Sequence, residues 1–292
     1  MSIRAKKRRN KKLYLNRSAF GNVSIMFFLG IVGVFMALPL VYAVSSALKP
    51  LNELWIYPPK FLPENPSLGN FKDLFGMMSD SWVPFSRYLA NTVFVSVTGT
   101  IGHVVLSSIC AYALAKHRFP GRNLIFKAIV LSLMFSTAVT GVPSFLIMSK
   151  LHLIDSMGSL ILPAFCSSLG LYLMKQFMET GIPDALIESA KIDGANEWKI
   201  FWKVVMPLVK PAWLTLIIFS FQGLWNTSTT SYIRSEQLKT LNYAHAQIVS
   251  GGIARQGTAA AATVIMMVVP IVIFVVTQSN IVETVASSGM KD

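Results

Sequence analysis

The chain has 292 residues, of which 53% are hydrophobic and only 13% charged. So few charges cannot cover a water-soluble domain, which carries about 25%, whereas a lipid-facing surface needs almost none. Lys and Arg number 26 against 13 Asp and Glu, a net +13, but no soluble domain follows the basic cluster, which argues against a nucleic-acid partner.

Taken in chain order, Arg4, Lys6, Lys7, Arg8, Arg9, Lys11, Lys12 and Arg17 form a basic arm over residues 1–22. Such an arm is retained on the cytoplasmic face by the positive-inside rule. Arg8-Arg9 lacks the flanks of a twin-arginine signal, and the apolar run behind it is longer than a signal core and carries Pro39, so no cleavage is expected. A membrane-crossing helix needs about 20 apolar residues. Six stretches are read as spans: 23–48, 88–115, 125–148, 158–178, 212–226 and 259–280, the fifth being short. Each must be helical, because an isolated strand leaves backbone groups unpaired in lipid.

The loops fix the direction. After the second span come Lys116, Arg118, Arg122 and Lys127 without an acid, whereas segment 49–87 balances its bases with Glu53, Glu64, Asp73 and Asp80. Both termini and loops 116–124 and 179–211 are therefore expected in the cytoplasm. Segment 49–87 is proline-rich and reads as an irregular outer excursion. Within it, Asn70–Phe75 reads either as a short amphipathic surface helix or as a connector. No linker, repeat or low-complexity tract divides the chain, so one domain over 1–292 is expected. Cys110 and Cys166 form no CxxC, the four histidines are dispersed, and no phosphate-binding loop is present. No metal site and no nucleotide site are expected in this chain.

The loop 179–211 reads ETGIPDALIESAKIDGANEWKIFWKVVMPLVKP. Pro183 and Asp184 suit the first turn of a short helix. Gly194 can end it with a positive φ. A second amphipathic stretch follows, with Trp198, Phe201, Val204 and Val205 on its apolar side, before Pro207 and Pro211. Two short helices joined at a glycine are thus presented to the cytoplasm.

Glu188, Ser189 and Ala190, then Asp193, Gly194 and Ala195, then Phe201 and Pro207, resemble the cytoplasmic signature of ATP-binding-cassette (ABC) importer permeases. The family's first alanine is here Ser189. Asn70-Phe71, Asn91-Thr92, Ala111–Ala115, Arg118–Arg122 and Leu151–Pro163 extend the likeness to the shorter permease of the maltose-type carbohydrate branch. The tail, Gln278 through Glu283-Thr284 to Gly289-Met290-Lys291, is similar to a subgroup importing oligosaccharides and acidic polysaccharide fragments such as alginate.

The resemblance implies an all-α type I importer permease with six transmembrane helices in the bacterial cytoplasmic membrane. It implies a second homologous permease, two ABC ATPase subunits holding ATP and Mg, an extracytoplasmic solute-binding protein and a carbohydrate cargo. The signature loop would be the coupling element: Glu188 would touch the ATPase, Gly194 would set the angle, and Phe201 and Trp198 would pack the loop onto the membrane domain. Intramembrane polar and aromatic residues that could meet sugar are Asn91, His103, Tyr172, Gln222, Trp225 and Asn226, each also readable as an interhelical hydrogen bond or interfacial anchor. His103 reads as a packed histidine. Arg234, Lys239 and Arg255 could attract a uronate. The alternative cargo is an amino acid, peptide or anion. A membrane enzyme is disfavoured because the acids cluster in the loop among lysines, and an ion-coupled transporter because no acid lies within a span.

Overall fold

The computed structural model describes residues 19–79, 83–229 and 231–288. The basic arm up to residue 18, Asp80 and the tail Gly289–Lys291 lie outside the described residues. Among the described residues the chain is helical without strands. The helices are α1 (Ala19–Leu48), α2 (Leu51–Leu54), α3 (Gly69–Ser79), α4 (Phe85–Lys116), α5 (Arg122–Ser132), α6 (Thr137–Lys150) and α7 (Gly158–Phe165). They continue as α8 (Ser168–Gly181), α9 (Asp184–Ile192), α10 (Glu197–Ile200), α11 (Met206–Leu208), α12 (Lys210–Trp225), α13 (Leu241–Ser250) and α14 (Gln256–Ser288).

Helix α4 is the axis of the bundle, 32 residues long and packed against α7, α8 and α12. Among its buried residues, between larger ones such as Val95, His103 and Tyr112, runs a set of small or hydroxylic side chains: Ser96, Gly99, Thr100, Ser107, Ser108 and Ala111. Without a hydrophobic drive between helices in lipid, such residues gain dispersion contacts by letting backbones approach. At Gly99 an added Cβ would lie 2.5 Å from Leu224, and at Gly102 one would lie 2.0 Å from Phe165. Helix α1 behaves differently. No residue of its apolar window is buried, and its buried contacts with the bundle are Ser45, Ser46 and Ala47 at its far end.

Among the described residues, four helical stretches are long and apolar enough to cross a membrane: Phe20–Leu48, Phe85–Lys116, Gly158–Gly181 (α7 with α8) and Gln256–Gln278. A fifth is the pair Glu197–Leu208 and Lys210–Trp225, bent by 80°. Pro207 and Pro211, which cannot donate to a helical ladder, flank that bend. The single third span expected over 125–148 is replaced by two shorter helices, α5 and α6, separated at Leu133–Ser136. The physical cause is the hydroxyl-rich run at the break. Ser132 Oγ bonds back to the Ile129 carbonyl and to Ser168 Oγ, and Thr140 Oγ1 bonds back to the Ser136 carbonyl, which compete with a continuous ladder.

The loops sort to the two ends of α4 as the charge pattern divides them. At one end Asp155 accepts from the Arg234 and Ser235 amides, Tyr88 donates to Glu236 at 2.7 Å, and Asn70 donates to the Ala47 and Lys49 carbonyls. At the other, Lys116 donates to the Ile182 carbonyl and Arg122 pairs with Glu179. The stretch around Asn70 is a helix, not a connector. Leu74 of α3 is fully buried, and α3 packs on α1, α4 and α14.

Candidate functional site

The loop between α8 and α12 builds a compact knuckle. Helix α9 starts after Pro183 with Asp184 in its first turn, and only Ile187 of α9 is buried. It ends at Gly194, whose φ is +76°. The Ala195 amide donates to the Ala190 carbonyl and the Gly194 amide to the Lys191 carbonyl, both at 3.0 Å. These two bonds are the Schellman closure, which requires a left-handed residue where glycine stands. Two residues on, the Asn196 side chain accepts from the Lys199 amide at 2.9 Å and caps α10. A π-helical turn over Phe201–Val205 carries the chain into α11.

Beneath the knuckle, Ile187, Ile200, Phe201 and Val205 join Ala111, Tyr112 and Ala115 of α4 and Met174 and Met178 of α8 in one apolar core. The loop is therefore seated on the bundle. Of the signature residues, Phe201 is buried, Ala190 and Ala195 are half-buried, and Glu188, Ser189, Asp193, Gly194 and Pro207 are exposed. Trp198, expected to pack inward, is 62% exposed; its ring reaches only the edge of Phe201, at 6.4 Å. Ile192 is 86% exposed. Two large apolar side chains held outward on a polar knuckle are the mark of a contact surface.

Sequence reasoning missed the polar clamp at the base. Glu197 accepts from the buried Tyr112 hydroxyl at 2.9 Å, pairs with Lys191 at 2.7 Å and lies 3.6 Å from His117. One carboxylate thus joins α9, α10 and α4. Lys116 meets Asp184 at 2.7 Å, and this hydrogen bond and charge hold the Asp184 carboxyl below its usual range. Lys175, buried in α8, pairs with Glu179 and sits 4.1 Å over the Phe126 ring. The i, i+3 and i, i+4 pairs are visible in a sequence, but a partner 85 positions away, as Tyr112 is from Glu197, is not.

The six residues considered for a sugar path do not gather in one cavity. Asn91 gives its amide to the Gln237 and Lys239 carbonyls at the end of α4 away from the knuckle. Trp225 is buried and donates to the Met266 carbonyl. Tyr172 stacks on Phe126 at 6.1 Å. His103 is packed against Gly170, with Nδ1 2.6 Å from Ser220 Oγ, and lines a cavity of about 190 Å³. Gln222 lines a separate cavity against Pro270 and Phe274, and Asn226 is exposed, donating to the Gln222 carbonyl. Of the bases expected to attract a uronate, Lys239 pairs with Glu236, while Arg234 and Arg255 are exposed. Hydrogen bonds from Ser235 and the Arg234 amide hold the Asp155 carboxyl low, fastening that loop.

Comparison with known proteins fits this architecture. Protein LplC of Bacillus subtilis (strain 168) is 33% identical over 210 residues, covering 70% of this chain and 67% of the relative. The polygalacturonan/rhamnogalacturonan transport system permease protein YtcP of the same organism is 32% identical over 206 residues, 70% of this chain and 69% of YtcP. The sn-glycerol-3-phosphate transport system permease protein UgpE of Pectobacterium atrosepticum is 32% identical over 203 residues, 69% of this chain and 71% of UgpE. Among solved structures, a chain of a bacterial ABC transporter involved in the import of the acidic polysaccharide alginate superposes with a TM-score of 0.75. It is 26% identical, and the match covers 89% of this chain and 95% of that one. Residues 103–285 match the family described as the binding-protein-dependent transport system inner membrane component. That match takes in the whole knuckle, all of α8 and the knuckle end of α4, and the chain belongs to this family of inner-membrane permeases.

Proposed function

We propose that this chain is one permease of an ATP-driven carbohydrate importer, with an acidic oligosaccharide as its cargo. In this reading it pairs with a second homologous permease and two ATPase subunits, which bind ATP and Mg, while a solute-binding protein delivers sugar to the outer face. The knuckle faces the cytoplasm, and with it both termini and the 116–124 loop. The observation that carries the reading is that knuckle: exposed at Glu188, Ile192 and Trp198, and seated on α4 and α8 through Ile187, Ile200 and Phe201. A lever needs both an outer face to receive a push and an inner face to pass it on. Nucleotide can shift a two-state permease only through contacts that differ between its states, and this surface offers them. YtcP and the alginate importer, both named for acidic glycans, support the cargo class.

Gly194→Asp tests the lever. Aspartate tolerates the left-handed region at a cost of about 1 kcal/mol, and nothing lies within 4 Å of the new Cβ. The subunit should therefore persist in the membrane while uptake falls roughly fivefold or more. An abundant, assembled and fully active variant overturns the coupling role. Screening the binding protein for ligands by thermal shift decides the cargo. Stabilisation by sn-glycerol-3-phosphate and not by uronates would move the assignment to a phosphate ester, as UgpE suggests.

A further inference from the structure

At the end of the bundle away from the knuckle, where α1 meets α13 and α14, lies a pocket of about 600 Å³. That volume falls in the range of small-molecule sites, roughly 300–1,000 Å³. Ala43 of α1 and Ala259 and Ala260 of α14 leave the space open, while Tyr42, Trp55, His245 and Gln256 bring aromatic faces and polar groups to it. Its walls are fixed from behind. Asn70 donates to the Ala47 and Lys49 carbonyls, and it packs so closely on Gly257 that a Cβ there would lie 2.2 Å from its side-chain oxygen. One residue of α3 thus sets the spacing of α1 and α14. The Tyr42 ring is held by the Phe61 ring, at 5.8 Å, and by the Lys49 ammonium, 5.7 Å from its centroid.

His245 gives the pocket its direction. Thr263 Oγ1 donates its one proton to the Ala259 carbonyl, so at 2.9 Å it can only accept from His245 Nε2. With the ring proton on Nε2, Nδ1 keeps its lone pair and is an acceptor. Burial lowers the His245 pKa, which keeps the ring uncharged at neutral pH. Among the described residues the Tyr42 hydroxyl, the Trp55 indole N–H and the Gln256 amide have no hydrogen-bond partner, and Tyr42 and Trp55 are 46% and 47% exposed. We propose that this pocket is a carbohydrate-binding site on the outer face, sugar rings lying on Tyr42 and Trp55 while a sugar hydroxyl donates to His245 Nδ1. The mixture of groups selects this occupant. An acyl chain, or an apolar helix of the partner permease, would strand these polar groups, which would lose water and gain no partner. A sugar answers them, because each hydroxyl both donates and accepts and its C–H faces suit aromatic rings. Among the described residues no charged side chain lines the pocket, so it reads hydroxyls and not carboxylates. The inference rests on the orientation and the carbohydrate cargo given under Proposed function, and adds to them a place on this chain that holds the sugar.

The test uses the assembled transporter in lipid nanodiscs, without the solute-binding protein, titrated with trigalacturonate and with its neutral methyl ester. Both should change Trp fluorescence saturably and with similar affinity; no response, or a response to the charged form alone, overturns the proposal. Trp55→Phe should remove most of the change. His245→Ala should weaken binding about fivefold, the effect of one neutral hydrogen bond. Ala260→Leu, which fills the pocket, should abolish it. A full response from Trp55→Phe overturns the proposal, and so does unaltered affinity in both other variants. High-yield cross-linking of Ala260→Cys to the second permease would put the partner on the pocket and overturn it too. Should a variant fail to assemble, hydrogen–deuterium exchange of the unaltered complex decides. Trigalacturonate must slow exchange in the peptide covering 241–256, and unchanged exchange there rejects the site. Sugar uptake is not read. A wrong cargo shows instead in the binding-protein screen, as stabilisation by sn-glycerol-3-phosphate and not by uronates, and a complex that carries no ATPase signals failure of the transporter reading.

Discussion

Glu197→Ala should uncouple transport from ATP hydrolysis, lowering uptake about tenfold while the assembled complex stays within about twofold of its normal level. The carboxylate is 47% exposed, so its pairing with Lys191 contributes little by itself. The Tyr112 hydroxyl is another matter. Tyr112 is 6% exposed, and removing its acceptor strands a buried donor at a cost of about 1–3 kcal/mol. More to the point, this one carboxylate is shared by α9, α10 and α4, beside the Lys116–Asp184 pair and the apolar seat. Without it the knuckle should still meet the proposed ATPase but hold α4 more loosely, through the apolar seat and the Lys116–Asp184 pair alone. Glu197→Gln keeps an acceptor for Tyr112 and loses the charge, so it should recover part of the activity. Uptake and ATPase rates measured side by side decide the matter. Equal uptake in Glu197→Ala and the parent would show that the clamp transmits nothing.

How far that clamp was readable bears on what a sequence can reveal. Gly194 was legible because its conformation is local: a left-handed residue after a helix favours glycine whatever surrounds it. The spans in α1, α4 and α14 were legible because about 20 apolar residues have few other uses. The break between α5 and α6 was not, since an apolar count ignores hydroxyls at 132–140 that can turn back onto the backbone. Trp198 and Phe201 share one apolar helical face in the sequence, yet one is exposed and the other buried. Helical periodicity says which side is greasy, not what stands opposite it. Asn91 and Trp225 looked available for a ligand until the partners that occupy them, 146 and 41 positions away, were in view.

Gly170→Leu should deplete the subunit from the membrane about tenfold. A Cβ there would lie 2.2 Å from His103 Nε2 and 2.8 Å from Leu216 Cδ1, on two helices at once. His103 is 4% exposed and held by Ser220, so moving its ring into the neighbouring cavity breaks that bond. Overpacking of this kind costs about 1–3 kcal/mol, and separating His103 from Ser220 adds about 1 kcal/mol. Gly141→Leu is the matched control, because a Cβ at Gly141 meets nothing within 4 Å. Immunoblots of membranes and thermal unfolding of the complex should find Gly141→Leu near normal and Gly170→Leu depleted. If both accumulate equally, the contact of α8 with α4 and α12 tolerates far more bulk than its geometry suggests.

The widened turn at Phe201–Val205 makes the knuckle a device set to an angle. Its Met206 amide reaches back five residues, to the Phe201 carbonyl, so the segment holds one residue more than an ordinary turn would. Deleting Val204 would let that turn close as a regular helix, and one residue corresponds to about 100° of rotation. The surface bearing Glu188, Ile192 and Trp198 would then be aimed a quarter-turn away from the ATPase subunit proposed to meet it. The inner face bearing Ile200 and Phe201 would have to repack, and the expected result is a permease still found in the membrane that no longer retains the proposed ATPase on copurification.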